Sequence, residues 1–82
     1  MPGFGRVPLS DIWAMLDECA PGFTKNERMH NWCIYYGALT YPSLPKGEHG
    51  KKNPEIELGH LKRLARHFGI LDCARRCIPA LK

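Results

Sequence analysis

The apolar residues of this chain change their spacing twice, and those changes restrict the folds open to it. Leu9, Ile12, Trp13, Leu16 and Cys19 recur at i, i+3, i+4 and i+7, the stripe of an amphipathic helix. Trp32, Ile34 and Tyr36 then alternate with Asn31, Cys33 and Tyr35, the two-residue period of a strand. Leu58, Leu61, Leu64, Ala65 and Phe68 return to helical spacing. Two helical stripes and one sheet face in a short chain must bury one another.

The breakers and caps place the boundaries. Ser10 is the expected N-cap of the first helix, Asp11 suits its first turn, and Pro21-Gly22 stops it. Phe23–Glu27 reads as a first strand and His30–Tyr36 as a second. Gly37-Ala38 turns the chain into a third at Leu39–Tyr41, ended by Pro42 and Pro45. Asn53 is the expected cap of the next helix, with Pro54 first and Glu55 and Glu57 at its positive end. Gly69 closes that helix, and the interior Gly59 suggests a close backbone approach. Asp72 should cap a short tail helix that carries Arg75 and Arg76 outward until Pro79. The expected fold is α+β, an α-β-β-β-α two-layer sandwich. It has a three-stranded antiparallel meander with the helices on one face, plus a short C-terminal helix.

At 82 residues the chain is expected to form a single domain over 1–82. Such a domain buries roughly 60–65% of its unfolded surface. That favours a binding face over an enclosed pocket. Apolar runs such as Trp32–Tyr36 fall far short of the roughly 20 residues that span a bilayer. The N-terminus lacks the basic-then-apolar order of a signal peptide, so the cytoplasm is the expected location. Cys19, Cys33, Cys73 and Cys77 show no C-x2-C knuckle. Without an export signal they are expected to be reduced thiols holding no metal.

Charge is segregated: residues 1–27 carry a net −2 and residues 28–82 a net +6. A basic patch confined to part of a small domain is the footprint of a polyanion site. Pro45-Lys46-Gly47-Glu48-His49-Gly50-Lys51-Lys52 forms a long lysine-bearing connection, the kind often used for function. On the second helix Lys62, Arg63, Arg66 and His67 lie opposite the apolar stripe.

The stretch Leu58-Gly59-His60-Leu61-Lys62-Arg63-Leu64-Ala65-Arg66-His67-Phe68-Gly69-Ile70 resembles the final helix of the HicA toxins. That helix has glycine, a small polar residue, leucine, basic residues among aliphatics, and a closing Gly-Ile. The first helix, a histidine opening the second strand, and a third strand leading into a Gly/Lys-rich loop match in order, over roughly residues 9–70. The resemblance implies a double-stranded-RNA-binding-like fold and a small RNA-cleaving toxin of a toxin–antitoxin system, held inactive by a HicB-like antitoxin. It also implies a catalytic histidine in a Gly-Ser-His segment. Here Arg28-Met29-His30 keeps the histidine and replaces the other two.

RNA supplies its own nucleophile, so cleavage needs a base with a pKa near 6.5 and cationic stabilisation of the phosphate. His30 is the expected base, with no cofactor required. Arg28, Lys46, His49, Lys51, Lys52, Lys62, Arg63 and Arg66 are the expected RNA contacts. The competing readings are a non-catalytic RNA-binding module, and a protein–protein adaptor or zinc-bound structural module with no nucleic acid ligand.

Overall fold

In a computed structural model, residues 5–47, 50 and 52–81 are described. The alternating segment folds as expected into an antiparallel meander of β2 (Thr24–Glu27), β3 (Asn31–Tyr36) and β4 (Leu39–Pro45), in the spatial order β2-β3-β4. Gly37 makes the tight turn between β3 and β4 with φ of 59°, a value glycine adopts without strain. β4 continues past Pro42 to Pro45 because it is an edge strand, where a missing N–H breaks no ladder. Trp32 pairs with Leu44 and Ile34 with Tyr41, so Pro42 and Ser43 together oppose Cys33 in a bulge.

The helices are α1 (Leu9–Cys19), α2 (Leu58–His67) and α3 (Leu71–Cys77), followed by a 3-10 turn at Pro79–Leu81. The fold is α+β. α1 and α2 pack on the Trp32/Ile34/Tyr36 face of the meander. The Trp13 ring meets Trp32 edge-on at 5.1 Å, and Tyr36 meets Phe68 at 5.7 Å. Ile12, Leu16, Ile34, Leu44, Leu61 and Leu64 are fully buried in this core, each contributing about 1.5–3 kcal/mol. Trp13 is half-buried, stacked on Phe23 and covered by the Lys25 ammonium 4.8 Å from its ring centre. At the end of α2 the Ile70 N–H donates to the Ala65 carbonyl and Gly69 takes φ of 70°, a glycine stop.

Two strands lie outside the expected order. β1 (Arg6–Pro8) and β5 (Glu55–Glu57) pair antiparallel, with Val7 opposite Ile56. Each is only three residues long, too short for alternation to stand out. Each runs directly into a helix. The second helix therefore starts at Leu58, not at Pro54, and Glu55 and Glu57 flank the inward Ile56 of a strand.

Asn53 has a different task from the expected one. Its Oδ1 accepts the Ser10 N–H at 2.9 Å and its Nδ2 donates to Ser10 Oγ at 3.0 Å, so it caps α1 from across the fold. Ser10 lies inside α1, whose N-cap position is Pro8. The caps are reciprocal: the Leu9 N–H donates to the Pro54 carbonyl and the Leu58 N–H to the Gly5 carbonyl. Asp72 sits within the first turn of α3, whose cap position is Ile70. Gly59 has open space where a Cβ would stand, so no close approach explains it.

The cysteines depart from expectation. Cys19 and Cys73 form a disulfide joining α1 to α3, while Cys33 and Cys77 are free. Sequence distance concealed the pair, since the two lie 54 residues apart.

The cross-fold cap yields a test. Asn53→Ala should cost about 1 kcal/mol in urea denaturation. Ser10→Ala should then cost less in that background than alone. Independent, additive effects would contradict the pairing.

Candidate functional site

The β2–β3 hairpin brings the expected catalytic residue to a tip. Glu27 pairs with Trp32, and the Arg28 N–H donates to the Asn31 carbonyl at 2.8 Å, leaving Met29 and His30 as the two exposed turn residues. His30 thus precedes the strand it was expected to open. The end of β4 runs alongside, and the chain leaves it through Lys46 and Gly47. Gly47 has φ of 81°, and a Cβ there would stand 2.6 Å from the Pro54 side chain. Only glycine lets the start of this connection press onto buried Pro54.

Between the hairpin tip and this connection is an open cleft of about 440 Å³. Its lining includes apolar groups from Leu9, Trp32 and Pro54, and polar groups from Glu27, His30, Lys46 and Lys52. Lys46 Nζ donates to the Arg28 carbonyl at 2.9 Å and pairs with Glu27 Oε2 at 2.7 Å. The Lys46 ammonium therefore braces the hairpin from β4 and is partly neutralised by Glu27. Lys52 has an exposed side chain on the same lining.

The expected site residues divide. His30, Lys46 and Lys52 share the cleft, and exposed Arg28 adjoins it through its carbonyl. His49 and Lys51 lie outside the described residues. Lys62, Arg63 and Arg66 on α2 do not line the cleft; Arg66 lines a separate shallow depression with Asp72 and Arg76. His67 is not a free surface group. Its Nε2 lies 2.7 Å from the Thr40 carbonyl, and because a carbonyl only accepts, that nitrogen carries the proton. His60 pairs with Glu57 at 3.8 Å. Glu27 and Pro54 were missed as site residues, and Trp32 reads in the sequence as a core residue on the Ile34 side of its strand, although aromatic residues there could stack on unpaired bases. Strand register alone brings Glu27 beside Trp32, and periodicity does not reveal that Pro54, beyond β4, lines the same cleft.

Among the described residues, the one grouping of three possible metal-ligating side chains is Cys19, Cys73 and Cys77, none of which lines the cleft. No described helix is long and apolar enough to cross a membrane. Comparison of the chain with protein-family models, with curated proteins and with solved structures finds no match in any of the three.

The bracing role of Lys46 can be measured. Lys46→Met should change global stability by less than about 1 kcal/mol, since Glu27 is well exposed and the pair is screened. It should nevertheless speed amide exchange at Met29 and His30. Unchanged exchange at the tip would remove Lys46 as its support.

Proposed function

We propose that the protein acts on single-stranded RNA at this cleft as a metal-independent endoribonuclease, the toxin component of a toxin–antitoxin pair. The observation that carries the reading is the exposed His30 imidazole on the rim of a cleft shared with Lys46 and Lys52. The apolar lining of Leu9, Trp32 and Pro54 offers a splayed base a surface, and the lysines offer its phosphates positive charge. The HicA-like pattern of residues 58–70 supports the same class.

The chemistry follows from the groups present. His30 takes the proton from a ribose 2′-hydroxyl, and the freed oxygen attacks the adjacent phosphorus. Lys52 and Lys46 offset the charge that builds on the phosphoryl oxygens. The P–O5′ bond breaks, and the departing oxygen takes a proton from water or from Lys52. The product ends are a 2′,3′-cyclic phosphate and a 5′-hydroxyl. Arg28 and the α2 residues Lys62, Arg63 and Arg66 extend the positive surface along flanking phosphates. A HicB-like antitoxin would inhibit by covering the hairpin tip.

His30→Ala should lower cleavage about 10²–10⁴-fold, the usual contribution of a positioned base, and relieve growth arrest, while RNA affinity stays nearly constant. Cleavage should persist in a chelator. Full activity in His30→Ala would exclude His30 as the base.

The two basic regions should separate in a second comparison. Lys62, Arg63 and Arg66 changed together to Glu should weaken binding similarly for all sequences and flatten its salt dependence, because phosphate contacts carry no sequence information. Lys52→Glu should instead depress cleavage more than binding. If the triple variant binds as before, α2 lies outside the RNA footprint.

A further inference from the structure

Away from the cleft, three sulfurs meet where α1 and α3 pack. Cys19 ends α1 and is buried, Cys73 is half-buried on α3, and Cys77 follows one helical turn later and is exposed. The three Sγ atoms lie within 4.8 Å of one another. Cys19 and Cys73 are joined as a disulfide, and Cys77 Sγ lies 3.7 Å from Cys19 Sγ. A covalent staple between two helices needs two cysteines. The third, held against the bond, is not accounted for by stapling.

Metal coordination accounts for it. Zinc binds thiolates at about 2.3 Å in tetrahedral geometry, which puts neighbouring sulfurs about 3.8 Å apart. The Cys19–Cys77 spacing already has this value. Once the disulfide is opened, a χ1 adjustment of Cys73 brings its Sγ to the same spacing. The i, i+4 placement of Cys73 and Cys77 puts both ligands on one face of α3, opposite the end of α1. An open pocket lined by Cys73, Cys77, Asp11, Glu18 and Arg76 adjoins the cluster. The fourth position therefore opens toward this pocket, whose lining also carries Asp11, Glu18 and Arg76.

We propose that the reduced Cys19, Cys73 and Cys77 side chains form a three-thiolate site for a thiophilic d10 cation of the zinc class. In the oxidised protein the Cys19–Cys73 bond joins α1 to α3; in the reduced protein the cation joins the same helices. A phosphine reductant supplies the two electrons that open the S–S bond, the two sulfurs take up two protons, and the phosphine becomes its oxide with an oxygen from water. Binding of the cation then displaces the protons of all three thiols. The site is independent of the RNA cleft, so it stands whether or not the protein cleaves RNA.

The test uses the full chain, reduced with a phosphine under anaerobic conditions and titrated with Co²⁺ and then Zn²⁺. One equivalent of Co²⁺ should give the sulfur-to-metal charge-transfer absorption and intense visible bands of tetrahedral thiolate coordination, both abolished by Zn²⁺. Cys77→Ser should weaken Zn²⁺ binding at least tenfold, and the oxidised form of the same variant, still able to make the Cys19–Cys73 bond, provides the check that it folds by circular dichroism. Cys33→Ser should bind as the wild type does. If reduction unfolds the chain, zinc should restore its helical signal. Absence of the charge-transfer band in the reduced wild type, or stoichiometric binding undiminished in Cys77→Ser, would overturn the proposal.

Discussion

Val7 and Ile56 face each other across the short β1–β5 ladder, and the arrangement of the molecule depends on that contact. It closes a chain segment of about fifty residues, whose ordering costs about 3.5 kcal/mol in closure entropy beyond a constant term. The compensation comes from several directions. Both side chains are buried in the common core. The first N–H of each long helix finds a carbonyl in the opposite half of the chain, and Asn53 caps α1. Helix ends otherwise leave donors unsatisfied. Here neither helix could start cleanly without the other's approach strand.

The same closure creates the cleft. By carrying Pro54 under the start of α1, the ladder obliges the connection leaving β4 to fold back beside the β2–β3 hairpin. Gly47 makes that turn possible where any side chain would strike Pro54. Lys46, at the point of departure, reaches across to Glu27 and Arg28. The cleft is thus assembled from β2, β3, β4 and the connection to β5, with His30 on its rim.

Periodicity made the larger elements legible. The α1 stripe, the alternation of β3 and the α2 stripe all appear in the apolar spacing, and together they gave the α+β class and the meander order. What stayed hidden was short or distant. Glu55-Ile56-Glu57 has the composition of a helix start, and Asn53-Pro54 before it completes the signal. Only the arrival of Val7 from the other end of the chain converts those residues into a strand. Pro42 looked like a strand terminus because sequence alone does not say which strand is at the edge. Cys19 met Cys73 only through packing of α1 on α3. For the site, His30, Lys46 and Lys52 were legible as residue types, whereas Glu27, Trp32 and Pro54 owe their place to register and tertiary contact.

The proposed function puts RNA against the hairpin tip and the connection after β4, with α2 serving at most its flanks. Backbone amide shift mapping tests this most directly, using His30→Ala protein titrated with a short single-stranded RNA in which 2′-methoxy groups prevent cleavage. The account predicts saturable perturbations concentrated at Glu27–Trp32 and at Lys46, Gly47, Gly50 and Lys52, with smaller ones at Lys62, Arg63 and Arg66. Perturbations confined to α2 and α3, or none at RNA concentrations that saturate binding, would contradict it.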